Sequence, residues 1–139
     1  MLPVETAKVT RRYRRLIDRA RKARSFAYCP YSRYKVGAAV LTSKGRIYSA
    51  ANVENASYGL SMCAERNAVA KALSEGRDRI EAIAVVAGGK GTPSPCGACR
   101  QVILEFGDVT VVMSNLKGSP RIEKISRLLP AAFGKGHIK

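Results

Sequence analysis

Three cysteines and one glutamate are spaced in this sequence to do metal-assisted chemistry. Cys96 and Cys99 are three apart in Ser94-Pro95-Cys96-Gly97-Ala98-Cys99. On a helix that spacing puts both sulfurs on one face, about 60° apart around the axis. Ser94 can cap such a helix, and Pro95 suits its first turn. Thiols at a helix N-terminus feel the positive end of the dipole, which favours thiolates. Cys63, in Cys63-Ala64-Glu65-Arg66, can add a third sulfur. Three protein ligands leave one position of a tetrahedral zinc open to water, the pattern of a catalytic rather than a structural site. Glu65 lies two residues after Cys63, about 200° away on a regular helix. Both approach one metal-bound water only if Cys63 starts the helix and Glu65 sits in its first turn. A carboxylate in that place is a general acid/base. Buried cysteines acting as small hydrophobes, or an acid favoured in a first turn, explain each residue singly but not the set.

The elements that must position these residues are readable from periodicity. Thr6 to Phe26 reads as an amphipathic helix, with Val9, Tyr13, Leu16, Ile17 and Ala20 on one face. Pro30 ends that segment. Tyr34 to Thr42 and Arg46 to Asn52 read as a hairpin about a turn at Ser43-Lys44-Gly45. Tyr58 to Ser61 is a loop and Cys63 to Ser74 a second helix. Ile80 to Ala87 is a strand whose continuous apolar run suits the middle of a sheet covered on both faces. The loop from Gly88 to Pro95 then delivers Cys96 to a third helix, Cys96 to Phe106, where α/β proteins commonly place ligands. Val109 to Met113 and Arg121 to Glu123 follow as strands, Ile125 to Leu129 as a short helix, and Gly134 to Lys139 as a mobile tail. The expected fold is α/β, a three-layer α/β/α sandwich around a mixed five-stranded sheet.

Length and charge set further bounds. At 139 residues, a single domain over 1–139 with one substantial core is expected. No apolar run approaches the roughly 18 residues of a membrane span. Met1 to Thr10 has no apolar signal core, so a cytoplasmic protein with no membrane association is the expectation. In a reducing compartment the four cysteines favour a metal over a disulfide framework. Cys29 is left over as a structural thiol. The net charge is +15, and Arg11 to Arg24 holds eight basic residues against the single acid Asp18. A solvated helix face is the preferred reading of that density; attraction to nucleic acid is the other.

The pattern C-A-E followed by P-C-G-A-C resembles the zinc-dependent deaminases, in the version that has cysteine as first ligand. It is similar to the small cytidine deaminases acting on free nucleosides. The likeness runs through Tyr31 to Ala39, Asn52 to Tyr58, both cysteine motifs and Leu128 to Phe133. It implies one Zn²⁺ per chain on Cys63, Cys96 and Cys99, with Glu65 as proton shuttle. It further implies hydrolytic deamination of cytidine and 2′-deoxycytidine to the uracil nucleosides with release of ammonia, in pyrimidine salvage. It implies zinc-bound hydroxide as the nucleophile. By the same resemblance Asn52 and Glu54 bind the sugar, and Tyr34 stands where the family commonly stacks a phenylalanine on the base. The Ala64 N–H could donate to the ring O2. Arg66 withdraws charge from the thiolates, a task for which Arg100 is a weaker candidate. The resemblance further implies a homotetramer, in which Tyr58 and Phe133 reach neighbouring sites.

Other readings predict different behaviour. Deamination of cytosine in RNA or single-stranded DNA would fall steeply with salt. Phe133 and the C-terminal block would tend to close the pocket around a small nucleoside. Deamination of a cytosine-containing antibiotic is disfavoured by Asn52 to Tyr58, which suit an unmodified ribose. A structural zinc module is disfavoured by Glu65 and by the three-ligand count.

Overall fold

The computed structural model describes residues 9–76 and 78–138. Helix α1 runs from Arg11 to Arg24. Thr10 caps it, its hydroxyl accepting from the Tyr13 N–H at 3.3 Å, so the helix starts five residues after Thr6; Thr6 to Lys8 and Lys139 lie outside the described residues. Strands β1 (Val36–Thr42) and β2 (Ile47–Ala51) form the hairpin. Helix α2 (Ala64–Glu75), strand β3 (Ile80–Ala87), helix α3 (Gly97–Leu104) and strand β4 (Thr110–Ser114) follow. Strand β5 (Arg121–Lys124) and the short helix α4 (Ile125–Leu128) close the chain. Most ends shift by one or two residues from the periodic pattern, as fraying and caps dictate. The tail folds one further turn, Lys135–His137, where a mobile segment was expected. Stacking of Phe133 on His137, ring centroids 5.3 Å apart, holds it.

The strands form one mixed sheet in the order β2-β1-β3-β4-β5. Among the described strands of this sheet only β3 and β4 pair in parallel, with α3 in the connection between them. Alternation along each strand sends side chains to two separate cores. Ala39, Leu41, Ala82, Ala84 and Val112 meet Leu16, Ile17 and Ala20 of α1 on one face. Ala38, Val40, Ile83, Val111 and Met113 meet Ala64, Ala68 and Val69 of α2, Ile103 of α3 and Ile125 of α4 on the other. This is the three-layer α/β/α sandwich the periodicity predicts. Helix α1 lies so close to the sheet that a Cβ built at Gly37 would stand 1.9 Å from the Ala20 carbonyl oxygen. Glycine there lets helix and strand touch through their backbones.

Candidate active site

Helices α2 and α3 start side by side on one face of the sheet, and both starts carry cysteine. Cys63 is the N-cap of α2 and Cys96 the N-cap of α3. Each has extended backbone, and neither sulfur bonds back into its own helix. Cys99 lies one turn into α3, fully buried. Ser94 does not cap this helix as its position before Pro95 suggested. Cys96 takes that place, and the Ser94 hydroxyl accepts from Arg100 Nη2 at 2.7 Å.

The three sulfurs converge. Cys63 Sγ is 4.0 Å from Cys96 Sγ, and Cys96 Sγ is 3.6 Å from Cys99 Sγ. All three lie within 4.8 Å of one another. Thiolates about 2.3 Å from a tetrahedral zinc would stand about 3.8 Å apart, so this triangle fits the ion with little movement. Its chemistry fits as well. The Cys99 thiol donates to the Cys63 sulfur, and the Arg66 guanidinium adds to this, holding Cys63 down to about 5. Giving that bond, together with burial, pushes the Cys99 thiol up. An environment that favours a thiolate at Cys63 favours a divalent cation in the same place.

Glu65 is in the first turn of α2 and only 5% exposed. Burial raises its carboxyl to about 7, helped by the charge of Cys63 and opposed by its own backbone N–H and by Arg66. A group titrating near neutrality is suited to taking and returning protons. Arg66 Nη2 donates to Cys63 Sγ at 3.6 Å. Arg100 does not share that task. Its guanidinium binds the Pro95 carbonyl at 2.8 Å, the Leu128 carbonyl and the Ser94 hydroxyl. It therefore ties the loop before Cys96 to the end of α4. Arginine in C-x-x-C-R reads equally as either role, so spacing alone does not separate them.

A cavity of about 240 Å³ opens beside Cys63, Glu65 and Cys96, with Tyr34, Asn52 and Glu54 in its wall. Ala64 lines it at the first turn of α2, where N–H groups have no intrahelical partner. Asn52 and Glu54 are both engaged by protein. Asn52 Oδ1 accepts from the Val36 N–H and Nδ2 donates to the Tyr34 carbonyl, each at 2.9 Å. This amide replaces a sheet bond, which is why β1 begins at Val36 rather than Tyr34. Glu54 accepts from the Tyr31 and Ser32 N–H groups at 3.0 and 3.1 Å, and from the Ser32 hydroxyl. Ser32 above all holds its carboxyl below the usual range. Ser32 is a cavity residue that sequence reasoning missed, although it lies within the Tyr31 to Ala39 block. Tyr58 and Phe133 are not in this wall. Tyr58 is 72% exposed and tilts against Tyr31, and Phe133 is 60% exposed.

Comparison with known proteins agrees with this geometry. Residues 10–115 match the family described as the cytidine and deoxycytidylate deaminase zinc-binding region. The cytidine deaminase of Sporosarcina psychrophila is 50% identical over 87% of this chain and 90% of its own length. That of Halalkalibacterium halodurans is 53% identical over 85% and 91%. The crystal structure of cytidine deaminase from Burkholderia pseudomallei superposes with a TM-score of 0.84 at 48% identity, covering 87% of this chain and 98% of that one. Fold and cysteine cluster together define a metal-dependent enzyme of the zinc deaminase class. The chain belongs to the cytidine deaminase family, with one zinc per chain.

Proposed function

We propose that this protein hydrolyses cytidine and 2′-deoxycytidine to uridine and 2′-deoxyuridine, with release of ammonia. The observation that carries the reading is the buried Glu65 carboxyl beside three convergent sulfurs at the wall of one cavity. Cys63, Cys96 and Cys99 hold the ion; when bound, zinc supplies Lewis acidity that makes water nucleophilic at neutral pH. Glu65 takes a proton from the attacking water and delivers it to ring N3. Addition at C4 gives a tetrahedral centre. Glu65 then takes the proton of the new C4 hydroxyl and passes it to the exocyclic amine; the C4–N bond breaks as C4=O forms, and ammonia leaves. Arg66 draws charge from the Cys63 sulfur, countering the electron richness of an all-thiolate site.

The remaining residues bind and orient. Tyr34 packs the base, and the Ala64 N–H meets ring O2. Glu54, charged and fixed by Ser32, accepts from a sugar hydroxyl. Asn52 keeps one N–H and one lone pair beyond its two backbone bonds, enough for a second sugar contact. The exposed rings of Tyr58 and Phe133 are supplied to neighbouring copies, making the working form a homotetramer of single-domain chains. The role is pyrimidine salvage in the cytoplasm. No helix among the described residues is long and apolar enough to cross a membrane.

Ultraviolet absorbance of free cytidine mixed with zinc-loaded protein tests the reaction, with Glu65→Ala run beside it. Conversion to uridine, lost in the variant and little changed from low to moderate salt, is the expected result. Folded, zinc-loaded protein that leaves cytidine intact would end this reading. Light scattering tests the assembly, and a monomer that turns over cytidine at full rate removes the roles given to Tyr58 and Phe133.

A further inference from the structure

Helix α1 lies on the sheet face opposite the cysteines, and its outer surface is cationic. Arg11, Arg14, Arg15, Arg19, Arg21 and Lys22 are all exposed. Arg12 is paired with Glu81. The helix has no acid in its first turn, where arginines oppose the dipole. Arg11 with Arg15 and Arg15 with Arg19 are like charges one turn apart, an arrangement that destabilises a helix. Solubility does not ask for this, since surfaces of mixed sign serve it without self-repulsion. A polyanion laid along the helix would relieve the repulsion. The cations are nearly all arginine, whose planar fork matches phosphate bidentately.

At the C-terminal end of α1 a hollow of about 660 Å³ brings Arg19 and Lys22 together with Lys71 and Phe26. Phe26 is 77% exposed. An aromatic face among cations is a surface on which an unstacked base can lie while its phosphates meet the charges. A lipid surface fits less well. The apolar residues of α1, Leu16, Ile17, Ala20 and Ala23, are buried against the protein, leaving no apolar helix face to enter a bilayer. We infer that α1 and the hollow at its end dock single-stranded nucleic acid, phosphates on Arg15, Arg19, Lys22 and Lys71 and a base on Phe26. The site is separate from the zinc centre, and the inference does not depend on which nucleoside the enzyme deaminates.

Fluorescence anisotropy of labelled oligouridylate and oligothymidylate, about 20 nucleotides long to exceed one site, tests this with full-length zinc-loaded protein. Four phosphate contacts predict a slope of log affinity against log salt of about −3. The double variant Arg19→Glu with Lys22→Glu should bind at least tenfold more weakly and with a shallower slope. Phe26→Ala should lose about 5- to 150-fold, the range of one base–aromatic stack, with the slope unchanged. Circular dichroism checks that these surface variants fold. RNA and DNA arms separate the source of the strand, and binding of either supports the site. Absence of binding to both at about 50 mM salt, wild-type affinity in either variant, or retention only on phosphatidylserine vesicles would overturn it.

Discussion

Asn52 offers the sharpest test of how this site is held. Its amide fills the place of a missing sheet bond, with Val36 N–H and Tyr34 C=O as partners at 2.9 Å. The residue is 9% exposed, so water does not readily replace it. Asn52→Ala deletes two bonds and strands both backbone groups. Each stranded group costs about 1–3 kcal/mol where water is excluded. Val36 is half-buried, which favours the lower end, so about 3 kcal/mol is a fair sum. For 139 residues the unfolding entropy is about 0.3 kcal/mol per kelvin, and Tm should fall by about 10 °C. Differential scanning calorimetry of the zinc-loaded protein reads this directly. KM for cytidine should rise as Tyr34 loses its anchor, while zinc content stays at one per chain. A variant melting within about 2 °C of wild type would refute the reasoning. Asn52 would then be a sugar ligand that only happens to touch the strand.

Other substitutions separate proton transfer, metal binding and packing. Glu65→Gln should lower kcat by about 10²- to 10⁴-fold, the usual worth of a general acid/base, with zinc content unchanged by elemental analysis. Cys99→Ala removes a fully buried sulfur from the triangle; zinc should fall well below one per chain, and turnover with it. Arg66→Gln should cost about 10- to 100-fold in turnover or in zinc affinity, measured by chelator competition. Gly37→Ala would drive a methyl into the Ala20 carbonyl. The resulting displacement of α1 should cost about 1–3 kcal/mol or more and lower Tm without changing zinc content.

What the sequence made legible follows from how local each signal is. Periodicity reports which face of an element is buried, so α1, β3 and the three-layer arrangement could be read before any coordinates. Cys63, Cys96 and Cys99 were legible because metal chemistry restricts both residue type and spacing. The caps were less legible. Ser94 has the right chemistry two residues early, and only the path of the chain shows that Cys96 occupies the cap. Arg100 and Asn52 were hardest, because each makes its bonds far along the chain, Arg100 to Leu128 and Asn52 to Val36. Ser32 is the same case, meeting Glu54 across a loop. No periodicity marks a side chain that holds another segment's backbone.

That cysteines occupy both cap positions has an energetic meaning. A Ser, Thr, Asp or Asn cap binds an orphan N–H and stabilises a helix by about 1 kcal/mol. Cys63 and Cys96 make no such bond, so α2 and α3 each start without that support. Their sulfurs are thereby free to face each other, and the positive ends of two helices meet at one point. Three thiolates and a Zn²⁺ carry about −1 together, the sign those helix ends favour. The ion therefore replaces two caps, and its binding stabilises the starts of both helices as well as the site. Glu65 depends on the same arrangement. It sits two residues past one of those caps, so a metal that completes the helix start would also fix the carboxyl to which we assign the proton transfer.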